Sequence, residues 1–84
     1  MSASSTPLIA LGKAIREMRE ERGLTGSALA AAAEVPHWRV TALEEGRLDP
    51  DYDLLLRLAD AMGTRASEFV VRAETNSGDE PCAR

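Results

Sequence analysis

Glycine and proline interrupt the helical apolar pattern of this chain at short intervals, and these interruptions restrict it to short helices. They fall at Gly23, Pro36, Gly46 and Gly63. Glycine readily adopts the left-handed conformation that ends a helix, and proline suits the first turn because it has no backbone N–H to donate. Between these points apolar residues recur every three or four positions, without β-type alternation. The sequence therefore predicts an all-α bundle of five short helices.

Side chains able to cap helices predict where these helices begin. Thr6-Pro7 is expected to start the first helix, Thr25 to cap the second and Asp51 to cap the fourth, with Asp53 in its first turn. Pro36 is expected at the start of the third. The predicted spans are about 7–22, 25–33, 36–45, 51–63 and 65–73.

Length and composition indicate one small domain. Residues 1–6 are small and polar and are expected to be disordered, residues 7–73 to form the helical domain, and residues 74–84 to be a flexible acidic tail. No apolar run has the length of a membrane span and the start does not resemble a signal peptide, so we expect a cytoplasmic protein. With one histidine and a single cysteine, Cys82, the sequence predicts no disulfide, no metal site and no cofactor.

The distribution of charge limits the ways in which the chain can bind nucleic acid. Residues 1–48 carry six bases and six acids, and residues 49–84 supply the whole net charge of −4. Strong non-specific attachment to nucleic acid is therefore not expected, although a specific site with a local basic edge remains open. No nucleophile–base pair, phosphate loop or carboxylate dyad stands out, so we expect no enzymatic activity.

Five sequence segments, in the same order and at the same spacing, resemble those of the Cro/CI-type (Xre-like) helix-turn-helix repressor domain. They are LGKAIREMREERGLT, SALA, VPHWRVTALEEGRLDP, LLLRLADAMG and SEFV, and they cover roughly three quarters of the chain. The resemblance implies a five-helix, lambda-repressor-like fold in which the second and third helices form the helix-turn-helix. The third would be the recognition helix that enters the major groove of double-stranded DNA.

The same resemblance implies roles for individual residues. The residues expected to point outward and contact bases or the groove are His37, Trp38, Thr41 and Ala42. The phosphate contacts would come from Arg16, Gly26, Arg39 and Arg47. Arg19 and Glu44 match a structural ion pair that the family commonly places between the first and third helices. A homodimer would use the fifth helix, at Phe69, Val70 and Val71.

The sequence departs from the family pattern at several of these points. Gly26 stands where a phosphate-binding Gln is usual, which leaves only a backbone N–H at the helix N-terminus. Glu34 takes the turn position normally held by Gly, so we predict a positive φ there. Asp49 and Asp51 replace residues that are often basic, and only Asp51 has a structural reason, as a cap. The four predicted base-contacting positions also lack the Gln, Asn or Arg side chains that contact adenine or guanine bidentately.

Trp38, the only tryptophan, is open to three interpretations. It could be a partly exposed anchor that packs on the second helix. It could contact DNA through thymine methyls or sugar edges, with His37 as a single hydrogen-bonding partner. It could also be a protein-binding hot spot, because exposed Trp beside Arg favours such sites.

The leading functional hypothesis is a sequence-specific DNA-binding transcriptional regulator, a homodimeric repressor on a palindromic operator. The alternative is a helix-turn-helix fold used as a protein–protein interaction module, favoured by the acidic balance and by Trp38. A third hypothesis, a DNA-binding antitoxin that captures a toxin with its tail, is weakened by how short the tail is.

Overall fold

Five helices make up the part of the chain that the computed structural model describes, residues 5–78. In chain order they are α1 (Ser5–Glu21), α2 (Gly26–Ala33), α3 (His37–Glu44), α4 (Tyr52–Met62) and α5 (Ala66–Gly78). No strand occurs between residues 5 and 78. The predicted all-α, five-helix architecture is confirmed.

The predicted caps of α2 and α4 are present. The Thr25 hydroxyl accepts a hydrogen bond from the backbone N–H of Ala28 at 3.0 Å. The Asp51 carboxylate accepts one from the N–H of Leu54 at 2.8 Å. Each bond satisfies an N–H that has no partner within its own helix. Local capping therefore places the starts of both helices correctly.

The start of α1 and the end of α5 differ from the predicted spans. α1 begins at Ser5, so Thr6 lies inside the helix instead of capping it, and Pro7 is accommodated because it still falls in the first turn. α5 continues five residues past the predicted end at 73. Residues 1–4 of the predicted disordered segment, and residues 79–84 of the predicted tail with Cys82, lie outside the described residues.

Arg72, within the predicted span of α5, joins this helix to α1 by ion pairs. Arg72 donates to both carboxylate oxygens of Glu21, at 2.7 and 3.1 Å, and its guanidinium lies 3.5 Å from Glu17. The hydrogen bond from Arg72 lowers the pKa of the Glu21 carboxyl. These pairs hold the middle of α5 against α1, and sequence periodicity within α5 does not reveal them.

One apolar cluster joins all five helices. Its large, fully buried members are Ile15, Leu29, Val40, Leu43, Leu54, Leu58 and Phe69. Each helix contributes at least one of them, so no helix buries its apolar side without its neighbours. Within residues 5–78, no helix is both long enough and apolar enough to cross a membrane.

Gly12 allows α1 and α3 to approach each other closely. A side chain built at Gly12 would lie against the carbonyl oxygen of Leu43 and 2.8 Å from that of Glu44. Both are backbone atoms near the end of α3, so they cannot rotate away as a side chain could. The absence of a side chain at Gly12 therefore sets the distance between α1 and α3.

Glu34 has the predicted left-handed backbone. Its φ of 63° is the only positive value at a non-glycine residue among residues 5–78, and its N–H donates to the carbonyls of Ala30 and Ala31 at the end of α2. A side chain in this conformation costs about 1 kcal/mol relative to glycine. We therefore expect Glu34→Gly to raise the melting temperature by several degrees. Thermal unfolding followed by circular dichroism measures this, and an unchanged or lower melting temperature would contradict it.

Candidate nucleic-acid interface

α2 and α3 are joined by a tight turn that holds one helix across the other. Glu34 ends α2, the N–H of Val35 donates to the Ala30 carbonyl at 3.0 Å, and Pro36 adopts an extended conformation immediately before α3. Val40 and Leu43 are buried and hold α3 in the core. The opposite side of this eight-residue helix is consequently presented outward.

Trp38 lies on this outward side. Its side chain is 64% exposed, and it is not among the partly buried residues that pack against the core. Most of the indole surface is thus open to solvent, whichever neighbours the rest of it packs against. An indole this exposed suits contact with another molecule, as the DNA and protein interpretations require.

His37 packs against the N-terminus of α2. Its Nδ1 lies 3.5 Å from the hydroxyl of Ser27, and a side chain at Gly26 would meet its Nε2 at 3.0 Å. Glycine at position 26 therefore makes room for the imidazole. Sequence reasoning assigned no role to Ser27, because its partner is ten positions away along the chain.

The prediction that Ala42 points outward is wrong. Ala42 was expected to point outward with Trp38, but only 7% of its surface is exposed. The chain turns back at the end of α3, where the N–H of Arg47 donates to the Ala42 carbonyl at 2.9 Å, and Leu48 in the following loop packs towards the core. Spacing within α3 gives the direction of a side chain, whereas its burial depends on the segments around it.

An open depression lies between the outward side of α3 and this loop. We call it the α3 hollow; its volume is about 520 Å³ and its lining residues are His37, Trp38, Thr41, Ala42, Arg47 and Leu48. All four predicted base-contacting residues therefore line one depression. Ala42 contributes to it as a buried wall residue, whereas Trp38 is exposed to solvent.

A second depression lies between α1 and α3 and is polar. This α1–α3 cleft has a volume of about 280 Å³, and its lining includes Arg16, Gly26, His37, Thr41 and Glu45. Two predicted phosphate contacts, Arg16 and the N-terminus of α2 at Gly26, therefore meet beside α3. Glu45 brings a negative charge to the same place.

The three predicted phosphate-binding arginines differ in their present partners. Arg16 pairs with Glu20 at 3.2 Å and Arg47 with Glu45 at 2.7 Å, and all four side chains are more than half exposed. Arg39 has no ion-pair partner among the residues that the structure describes. Exposed pairs contribute about 0–1 kcal/mol, so a phosphate could take the place of either carboxylate at little cost.

The predicted pair of Arg19 and Glu44 is present and shielded from solvent. Arg19 donates to both carboxylate oxygens of Glu44, at 2.7 and 3.1 Å, and to the carbonyl of Leu24 at 2.8 Å. The side chains are 13% and 11% exposed. The hydrogen bond to Glu44 raises the pKa of the Arg19 guanidinium, against the opposing effect of burial. Glu44 is thus neutralised inside the fold.

The predicted dimer residues do not form one surface. Phe69 is fully buried in the core, so it cannot contact a second subunit, whereas Val70 and Val71 are 46% and 53% exposed. Successive helical residues point about 100° apart, which explains why Phe69 turns inward while its neighbours do not. Val70 instead lines a groove between α4 and α5, of about 570 Å³, with Tyr52 and Leu56.

Comparison with known proteins gives consistent matches. A family model described as "Helix-turn-helix domain" matches residues 10–69. An uncharacterized HTH-type transcriptional regulator from Methanothermobacter thermautotrophicus is 45% identical over 56 residues, which are 67% of this chain and 81% of that protein.

Solved structures of two regulators are also similar. The clp gene regulator ClgR from Corynebacterium glutamicum matches with a TM-score of 0.79 and 30% identity, over 83% of this chain and 74% of that one. The restriction-modification controller protein C.AhdI from Aeromonas hydrophila matches with a TM-score of 0.73 and 27% identity, over 74% of this chain and 94% of that one.

Proposed function

The chain belongs to the Xre-like helix-turn-helix domain family of DNA-binding transcriptional regulators, and we propose that it is a homodimeric repressor acting on a palindromic operator. The observation that carries the proposal is the outward face of α3. There Trp38 is exposed, the acid Glu44 is neutralised by Arg19, and cationic side chains flank the helix.

In the proposed complex α3 lies in the major groove, with Trp38, His37 and Thr41 towards the base edges. Arg16 and the backbone N–H groups at Gly26 hold a phosphate on one side of the helix. Arg47 holds one on the other side. The positive end of the α2 dipole adds to the attraction at Gly26.

Few charges take part in this arrangement, which determines how binding depends on salt. Three arginines per subunit can neutralise phosphates, and two of them must first exchange an acidic partner. The logarithm of the association constant should therefore fall with the logarithm of salt concentration with a slope of about −3 per subunit. A much steeper slope would contradict this contact count.

The test of the proposal is fluorescence-anisotropy titration against the duplex upstream of the protein's own gene, across a salt series with random duplex as competitor. We expect submicromolar binding that resists competitor and is lost in Trp38→Ala. Circular dichroism melting verifies that the variant is folded, and Trp38→Phe should retain part of the affinity. Absence of specific binding by the folded protein would favour the interaction-module alternative, for which exposed Trp38 is the supporting observation.

Glu45 is expected to weaken DNA binding. It pairs with Arg47, lines the α1–α3 cleft with Arg16, and is exposed. A unit charge roughly 6 Å from a phosphate in water contributes about 0.7 kcal/mol. We expect Glu45→Gln to increase operator affinity about threefold per half-site, and about tenfold for the dimer, at low salt. Anisotropy titration measures this, with Glu74→Gln on α5 as a control of equal charge change, and equal gains in both variants would contradict a local effect.

The groove between α4 and α5 is the proposed dimer interface, in place of a surface centred on Phe69. Its lining combines exposed Tyr52, Leu56 and Val70 with Asp60 and Arg65. Neither of these charged residues has an ion-pair partner within residues 5–78. A two-fold axis that passes between Asp60 and Arg65 would bring each of them towards the other residue in the second copy, because such an interface presents the same patch from both sides.

The interface can be tested through Leu56. We expect Leu56→Asp to convert the dimer to monomer in sedimentation equilibrium, because a carboxylate would be buried against an apolar surface. Ala28→Asp adds the same charge at an exposed position of α2 and should leave the dimer intact. A dimer that persists in Leu56→Asp would exclude this groove as the interface.

A further inference from the structure

The α3 hollow lacks the groups that read purines. Its lining contains no Asn or Gln, and its one arginine, Arg47, is taken up by a phosphate in the proposed complex. The Nδ1 of His37 faces Ser27. Bidentate recognition of adenine or guanine needs two adjacent hydrogen-bonding atoms on one side chain, and no unengaged side chain of the hollow supplies them.

What the hollow offers instead is apolar surface in the middle of a polar face. Ala42 is a buried wall, Thr41 and Leu48 are half-buried, and the Trp38 indole is exposed. No side-chain nitrogen or oxygen within the described part of the chain is both buried and without a partner. A ligand group that enters the hollow therefore gains contact and desolvation, with no buried polar group for it to satisfy.

Only one apolar group projects from the base edges into the major groove, the 5-methyl group of a pyrimidine. Arg47 on the rim adds a cation that complements the phosphates beside such a base. From the apolar lining, the missing bidentate side chains and this rim charge, we propose that the α3 hollow binds a pyrimidine 5-methyl group and supplies base specificity. Thymine and 5-methylcytosine both carry this group. The inference rests on the proposed DNA-binding function and names what that function recognises.

The test compares operator duplexes that differ only in this methyl group. Replacing every thymine by deoxyuridine removes the methyl and keeps the Watson–Crick pairing. Burial of one methyl-sized group corresponds to about a fourfold change in affinity. We therefore expect about fourfold weaker binding per half-site, and about 15-fold for two half-sites. Single deoxyuridine substitutions should then locate one sensitive position in each half-site.

Protein variants assign the effect to the hollow. At low salt, where the residual binding of Trp38→Ala is measured, its affinities for thymine and deoxyuridine duplexes should be nearly equal. If it binds too weakly to measure, Thr41→Ser, which removes one methyl and keeps the hydroxyl, should reduce the thymine preference. Arg39→Ala should weaken binding to both duplexes by the same factor, because a phosphate contact does not depend on which base is present. A thymine preference that Thr41→Ser and Trp38→Ala both leave unchanged would overturn the assignment.

A second pair of duplexes separates the two sources of the methyl group. At the sensitive position, a C·G pair is compared with a 5-methylcytosine·G pair. A gain on methylation supports recognition of any 5-methylpyrimidine, and a thymine preference without such a gain supports thymine alone. Equal binding to thymine and deoxyuridine duplexes would overturn the inference and leave the proposed function intact. Failure to bind the thymine duplex would instead overturn the proposed function itself.

Discussion

Replacing Arg19 by Met is expected to lower the free energy of unfolding by about 3 kcal/mol, because it leaves the shielded Glu44 carboxylate without its partner. The change also removes the donor to the Leu24 carbonyl, and so loosens the segment between α1 and α2. For a domain of this size the melting temperature should fall by more than about 10 °C. Urea denaturation gives the free energy directly.

A double-mutant cycle and a matched exposed pair test the reason for this loss. Arg19→Met combined with Glu44→Leu should cost less than the sum of the two single changes, because the double variant buries no charge. Arg16→Met breaks an ion pair of the same chemistry whose side chains are 62% and 55% exposed, and it should cost less than about 1 kcal/mol. Equal losses in Arg19→Met and Arg16→Met would show that shielding from solvent is not the cause.

Gly12→Ala is expected to destabilise the fold by about 2–3 kcal/mol, although alanine favours a helix over glycine by about 1 kcal/mol. The steric effect wins because the new methyl group would meet the Leu43 and Glu44 carbonyl oxygens, which belong to the backbone of α3. To remove this steric overlap α1 must move away from α3, and this movement exposes core side chains to water. Urea denaturation measures the loss.

Gly26→Ala provides the matched comparison. A methyl group at Gly26 would meet only the His37 side chain, at 3.0 Å from Nε2, and this ring can rotate aside. We expect its free energy of unfolding to change by less than about 1 kcal/mol, since helix propensity and displacement of the ring oppose each other. A Gly12→Ala variant as stable as the parent protein would show that α1 and α3 can separate at little cost.

The contact between Gly12 and α3 also affects the candidate DNA-binding surface. Leu43 and Glu44 lie at the end of α3, so a shift there would tilt the helix that carries Trp38. A variant that remains folded should therefore bind the operator less well. Sequence reasoning did not single out Gly12, although a glycine inside a helical pattern often has a packing reason.

The sequence by itself determined the features that depend on neighbours a few positions away. Thr25 and Asp51 cap their helices through bonds to residues three positions on. Such contacts form within one turn of chain, so residue type and spacing suffice to predict them. The resemblance to the family then indicated the left-handed backbone of Glu34 and the one distant contact foreseen, between Arg19 and Glu44.

Only the tertiary structure decided which residues of each helix are covered. Ala42 was expected to face DNA but is buried, and Phe69 was expected at a dimer surface but enters the core. α5 extends to Gly78, with Arg72 paired to α1. Periodicity defines the faces of one helix, whereas burial depends on what another segment places against each face. That information lies in the packing of distant segments, which is why the α3 hollow and the groove between α4 and α5 became visible only in the folded chain.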